Sequence, residues 1–439
     1  MVCLSGQAQK ESSPSETTRV LLVLDCTQSM GQRWQSGTKL RVTQQVLSHL
    51  LDSIDDIEVA LRVFGNQLKG ADGTRLEVPF GADNREALQR KLRTLVADGR
   101  CKASTALSKT RGDFPQDPQA RNIILLVTDG QQQDKDFCSL AGQMQMSGNI
   151  LKTFILCINA DKTPTLADNC GGMVTFLYNE EDYAQVLQDM FYMTDRKATL
   201  SLALLDEQRH LYETEVPVVL FDHLSHTPKY STLYTYSPDQ DPDTLEVDPL
   251  LMYDITFYTQ PPVELTNILL KAGQHRTIEV QGGQGQLTIG MPSKRVGWSL
   301  PDYPVMLRRQ GSCETVATLS LGEQITLLAG YYDVEVLTVP PTRIDNVHVL
   351  ANKSTTLQIA MPGQLALSKP KTDAEGVLFA VYEGRLKKIC DLDPDTPNER
   401  IILMPGDYQI VIPTDSPCAP IGGKFTIVSS QQTTLSLDN

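Results

Sequence analysis

No stretch of this chain offers the ~18 consecutive apolar residues that a membrane-spanning helix requires, so a helical transmembrane protein is not expected. The common catalytic signatures are missing too. There is no Gly-x-Ser-x-Gly elbow, no His-Glu-x-x-His pair and no Gly-x-x-x-x-Gly-Lys phosphate loop. Histidine is scarce, at six residues, and none stands with Ser or Cys in a catalytic arrangement. The nine cysteines include no Cys-x-x-Cys pair, which removes zinc-ribbon and thioredoxin-like chemistry, and their odd number leaves at least one thiol free. Positive charge is in short supply: Lys plus Arg is 39 against 53 Asp plus Glu, a formal net charge of -14. That balance argues against a nucleic-acid backbone as partner.

What is present is ordinary globular composition, 41% hydrophobic and 21% charged, over a length that implies two to four domains. The first residues, MVCLSGQAQK, run from a short apolar piece into small residues and then into polar Glu11–Thr18. Residues 1–16 are expected to be the remnant of a secretory signal peptide or a disordered tail. A signal would place the protein outside the cytosol, in the periplasm, the cell envelope or the medium.

Residues 17–197 alternate strands and helices. Residues 19–24 (RVLLVL) and 122–128 (NIILLVT) are continuous apolar runs, the pattern of strands buried on both faces. Val59–Phe64, Ile150–Ile158 and Met173–Leu177 add further strands. Val42, Val46, Leu47, Leu50, Leu51 and Ile54 recur at helical spacing, Asp83 and Glu86 have capping-box spacing before a second helix, and Glu180–Phe191 is amphipathic. The expected fold is a mostly parallel sheet with helices on both faces.

After residue 197 the helical period disappears and short β-rich runs alternate with Gly, Pro and Asp turns. The tail repeats. YDITFYTQPP at Tyr253 answers YDVEVLTVPP at Tyr332, an offset of 79, and Asn267/Asn346, Ala272/Ala351 and Thr277/Thr356 match at the same offset. Gly285-Gln-Leu answers Gly363-Gln-Leu, and a weaker third copy begins near Tyr408. Three β-sandwich modules are expected, at 198–290, 291–365 and 366–439. The Pro-Pro pairs suit edges or turns. His223 and His226 lack a third metal ligand nearby and read as a solvated loop. Tyr230, Tyr234 and Tyr236 alternate on one strand face and read as packing. Gly282–Gly285 reads as a turn between strands.

The candidate chemistry follows two strands. Asp25-Cys26-Thr27-Gln28-Ser29 comes directly after the first, and Thr128-Asp129-Gly130 ends a later one. In a parallel sheet both fall at the carboxyl edge, where loops build ligand sites. Two carboxylates and two hydroxyls converging there suit a hard cation. These residues resemble the metal-ion-dependent adhesion site of von Willebrand factor A domains. The resemblance implies a Rossmann-like α/β domain in which Asp25, Thr27, Ser29 and Asp129 hold Mg²⁺ (or Mn²⁺ or Ca²⁺). It also implies that a middle-loop Thr completes the shell and that a protein ligand's acidic side chain takes the open position. The middle loop departs from this pattern, because the family spacing lands on Cys101, a soft ligand poorly suited to Mg²⁺. Ser104 and Thr105 are the nearby substitutes, both at a helix start. The competing interpretation is that Asp25, Thr27 and Ser29 only cap a turn.

With residues 60–65, 76–81 and 113–115 and the β modules, most of the chain resembles bacterial secreted proteins carrying one A domain followed by β-sandwich repeats. Such A domains often carry two cysteine pairs around these loops, which points to a Cys138–Cys170 disulfide. The two connections can neighbour each other at one sheet edge, and the competing state is two separate buried thiols. The expected function is a non-enzymatic envelope binding or adhesion protein, with the β modules as a stalk. The alternatives are a metal-independent scaffold and a partner subunit of an ATP-driven remodelling complex.

Overall fold

The computed structural model describes residues 17–54, 56–65, 73–117, 120–130, 137–146, 150–158, 174–211, 215–235, 242–293, 296–369, 376–412 and 421–437. Six strands form the N-terminal sheet: β1 (Thr18–Asp25), β2 (Ile57–Phe64), β3 (Thr74–Val78), β4 (Arg121–Thr128), β5 (Lys152–Ile158) and β6 (Val174–Leu177). Their order is β3-β2-β1-β4-β5-β6, parallel except for β3, which pairs antiparallel with β2. Helices α1 (Lys39–Asp52), α2 (Arg85–Thr94), α3 (Ala103–Thr110), α4 (Phe137–Met146) and α5 (Glu180–Asp195) cover both faces. Along β1, Val20, Leu22 and Leu24 enter the core shared with α1, α2 and α5, while Leu21 and Val23 enter the core beneath α3 and α4. The apolar run at 19–24 was a strand with two buried faces, as its lack of alternation implied.

Thr38 caps α1, its side chain accepting from Arg41 N at 3.2 Å. The capping box expected at Asp83 does not form. Asn84 is the cap residue of α2, and its amide instead donates to Val59 O (2.7 Å) and Pro79 O (2.6 Å). That amide ties α2 to the strand ends below it, which a cap bond to its own helix would not do.

The tail is three seven-stranded sandwiches of one topology. In the first, β7 (Ala198–Leu205) lies between β10 (Thr244–Val247) and β13 (His275–Gln281). Opposite it, the sheet runs β12 (Val263–Leu269), β11 (Met252–Phe257), β8 (Val216–Asp222) and β9 (Pro228–Tyr234). Only β7 and β13 pair in parallel. The second sandwich runs from β14 (Gln284–Gly290) to β20 (Ser354–Gln358), the third from β21 (Gly363–Ser368) to β27 (Gln432–Ser436), in the same strand order. The expected boundary at 290 therefore sits one strand too late, and that at 365 cuts through β21. A repeat in sequence gives the period but not the phase, and the recurring Gly-Gln-Leu opens a module instead of closing one.

The repeat extends to single bonds. Asn267 N donates to Asp254 Oδ1 and Asn346 N to Asp333 Oδ1, each at 3.1 Å, with both asparagines at positive φ (61° and 62°). Each pair sits beside a register shift in its hairpin. In the third module Gln409 replaces that aspartate and the strands pair without a shift, which is why the third copy looks weaker. The Pro-Pro turns join modules: Leu328 N donates to Gln260 O and Met404 N to Val339 O, each at 2.7 Å. Tyr230 and Tyr234 pack against or within the first sandwich core as expected, while Tyr236 lies outside the described residues. His223 is not simply solvated: its Nδ1 is 2.9 Å from Asp254 Oδ1.

The first sandwich is also tied to the α/β domain. Arg121 Nε donates to Asp248 Oδ2 at 2.6 Å and its Nη1 to Thr18 Oγ1 at 3.0 Å, and Leu250 packs in the α/β core.

Candidate functional site

Strands β1 and β4 are neighbours, and the strand order turns outward on either side of them, so their carboxyl ends form the crevice where open α/β sheets hold ligands. Asp25 ends β1 fully buried. Its Oδ2 accepts from Thr128 Oγ1 (2.6 Å), the last residue of β4, and its Oδ1 from Thr27 N (2.8 Å). Thr27 and Ser29 share a hydroxyl–hydroxyl bond of 3.1 Å, and Ser29 Oγ donates to Asp129 Oδ1 at 3.1 Å. The four residues singled out from sequence thus meet in one cluster.

Glycines let the supporting loops close. Gly65 has φ +84°, and a Cβ there would stand 2.5 Å from Thr27 Cγ2. A Cβ on Gly99 would fall 1.5 Å from Gly65 O. Gln28 N donates to Gly99 O at 3.0 Å, and Asp98 N to Cys26 O at 3.2 Å. The 26–29 loop is clamped between the end of β2 and the 98–99 turn.

The residue that sequence reasoning missed is Lys39, the first of α1. Its ammonium lies 3.0 Å from Asp129 Oδ2 and 3.2 Å from Gln32 Oε1, and its side chain is 1% exposed. A lysine at a helix start opposes the helix dipole, and burying its charge adds a desolvation cost. The Asp129 carboxylate is what offsets both. The only trace in the sequence was a basic residue directly after a Thr cap.

Burial pushes the Asp25 carboxyl up to about 6, against the pull of its hydrogen bonds from Thr128 and Thr27; the nearby Asp129 charge pushes in the same direction as burial. The two thiols nearest the site are inert: burial raises that of Cys26, and that of Cys157 to about 12. Cys101, at the middle-loop position, is half-buried. Its Sγ bonds Lys102 O at 3.5 Å, and a methyl on Gly73 would meet it at 3.2 Å. Ser104 and Thr105 lie in the first turn of α3. Cys170 and the Cys138 side chain lie outside the described residues, so the Cys138–Cys170 pair does too. The described cysteines 26, 157, 313 and 390 are free.

A divalent cation needs several oxygens turned to one open position. Here Asp129 gives one oxygen to Ser29 and the other to Lys39, while the carboxylate of Asp25 is held by Thr128 and Thr27. The middle loop offers sulfur, and the ammonium already supplies positive charge. As arranged, these described residues do not fit Mg²⁺, Mn²⁺ or Ca²⁺. Among the described residues no group of three or more His, Cys, Asp or Glu gathers elsewhere to hold a metal.

A family model for the von Willebrand factor type A domain matches residues 20–132, from the start of β1 to just past Asp129. The N-terminal domain is a von Willebrand factor A domain, and β-sandwich modules follow it. No curated protein matches the chain. Similar solved structures include the conserved hypothetical protein BatB from Bacteroides thetaiotaomicron, with 15% identity over 40% of this chain and 98% of that one, TM-score 0.32. The pilus adhesin SpaC from Lactobacillus rhamnosus GG has 9% identity over 95% of this chain and 83% of that one, TM-score 0.36. A von Willebrand factor type A protein from Catenulispora acidiphila has 13% identity over 59% and 67%, TM-score 0.35. Likenesses this distant carry no argument about function.

Proposed function

We propose that this is a non-enzymatic, exported binding protein. In this reading the carboxyl-edge face of the A domain docks an acidic protein surface, and the sandwiches serve as a stalk. The observation that carries it is the rim of that face. On the described loops 26–38, 95–102 and 129–130, the exposed charges are Arg33, Arg100, Lys102 and Asp98, while Glu181 and Asp182 stand exposed at the start of α5 beside Ser36, so Arg100 and Lys102 form a cationic patch on one side of the face of a chain of net charge -14. A local cationic patch on an acidic protein steers an acidic partner to one side of the face. The clamped loops hold those side chains on a rigid base, which limits the ordering cost of binding. The hydrogen-bonded joints between modules suit a stalk that keeps its direction.

The test is site-specific photocrosslinking in cells that make the protein. A crosslinker at Gln28, on the rim, should give a discrete protein adduct. One at Ser53, exposed at the far end of α1, should not. Arg100→Glu with Lys102→Glu should remove the adduct. Equal adducts from both positions, or an adduct indifferent to the charge reversals, contradicts the proposal. Fractionation of the same cells tests export: a purely cytosolic protein removes that part.

A further inference from the structure

We infer that Lys39 is the resident cation of this adhesion-type site, a side-chain ammonium standing where the fold would otherwise hold a divalent metal. This deepens the function proposed above, since it makes the docking face independent of metal, but its test involves no partner and can fail separately.

The argument rests on charge and position. Two buried carboxylates, Asp25 and Asp129, approach each other at the ends of adjacent strands. Buried like charges need a cation close by. Lys39 brings one from the start of α1, 3.0 Å from Asp129 Oδ2, with Gln32 Oε1 at 3.2 Å taking another ammonium proton. Ser29, which the resemblance made a metal ligand, spends its hydroxyl proton on the other oxygen of the same carboxylate, at 3.1 Å. The ammonium, Asp129, Ser29 and Thr27 therefore form one continuous hydrogen-bonded chain. The middle-loop position fits the same inference. With the charge supplied from α1, an oxygen ligand at residue 101 has no cation to bind, and a cysteine is tolerated there. A side chain 1% exposed also cannot receive a partner's carboxylate. Partner acids would meet the rim cations above it, and the buried ion pair holds the loops in place without being touched.

The experiment is Mn²⁺ titration of the full chain, read by the electron paramagnetic resonance of free Mn²⁺ and by thermal melts. Ser29→Ala controls for loose binding to the acidic surface. Wild type should show no bound Mn²⁺ that Ser29→Ala removes and no Mn²⁺-dependent rise in Tm. Lys39→Met should gain one saturable Mn²⁺ and a Tm that rises with Mn²⁺, more so with Cys101→Thr added. A wild-type Mn²⁺ site abolished by Ser29→Ala overturns the inference. So does a folded Lys39→Met protein that binds no Mn²⁺, because Lys39 would then not occupy a cation's place. Should Lys39→Met fail to fold, Lys39→Gln is read in the same way. Resistance of the wild-type Lys39 amine to acylation under native conditions is an independent measure, and ready acylation contradicts the buried pair.

Discussion

Lys39 Nζ and Asp129 Oδ2 face each other at 3.0 Å across the carboxyl edge of the sheet, with side chains 1% and 0% exposed. A buried pair is a weak source of net stability but a costly one to halve. Lys39→Ala should destabilise the A domain by about 3–5 kcal/mol, the range for stranding a buried charge. Lys39→Met combined with Asp129→Asn should recover a good part of that loss, since no formal charge is then stranded. Urea melts with unchanged m-values check both. A Lys39→Ala loss below about 1 kcal/mol would place the pair in solvent.

The joint to the stalk rests on a second buried pair, Arg121 with Asp248, 7% and 5% exposed. Because it connects β4 of the A domain to the first sandwich, its loss should loosen the joint as well as weaken the fold. Arg121→Ala is expected to cost about 3–5 kcal/mol and to speed proteolysis near residue 197 under native conditions. Unchanged cleavage would show that the joint does not depend on the pair.

Asp25 gives a pH dependence of definite sign. Its carboxyl titrates near 3.8 in the unfolded chain and about 6 in the fold, where burial favours the neutral acid. The native state then binds the proton more tightly than the unfolded state. This contribution is fully present below the unfolded value and is lost as pH rises through about 6. On lowering pH from 7.5 to 5 the A domain should gain about 1.4 kcal/mol from this group, the rest appearing only as pH falls through 3.8. Asp25→Asn should flatten the profile between those values. Wild-type stability that falls steadily over this range would contradict the assignment.

Gly99 carries the closest approach at the site, with Gly65 O only 1.5 Å from where its Cβ would be. Gly99→Ala must push the 98–99 turn off the 26–29 loop. It should cost about 1–3 kcal/mol, the usual range for overpacking, and should weaken partner crosslinking from Gln28. A neutral Gly99→Ala would mean that the clamp is loose.

Much of this was readable before the fold was known, for identifiable reasons. Residues 19–24 and 122–128 are apolar without alternation, which only a doubly covered strand requires. Once both were parallel strands, Asp25 and Asp129 had to lie at the same edge. Lys39 was hidden because its burial depends on its pairing with Asp129, 90 residues away, and no spacing in the chain encodes that contact. Asn84 was hidden similarly: its amide serves two carbonyls, Val59 O and Pro79 O, and Val59 lies 25 residues away. The sandwich boundaries were displaced because Gly285 and Gly363 fix a period without saying which strand comes first. The 79-residue offset matched Asn267 with Asn346, but their bonds to Asp254 and Asp333 became visible only in the structure.

The central claim is that an ammonium occupies the cation's place, and a crystal of the full chain soaked in Mn²⁺ tests it most directly. Anomalous scattering at the manganese edge should show no peak among Thr27, Ser29 and Asp129, with the Lys39 ammonium in ion-pair contact with Asp129. A manganese peak bonded to Ser29 Oγ, with Lys39 turned out to solvent, would contradict the account.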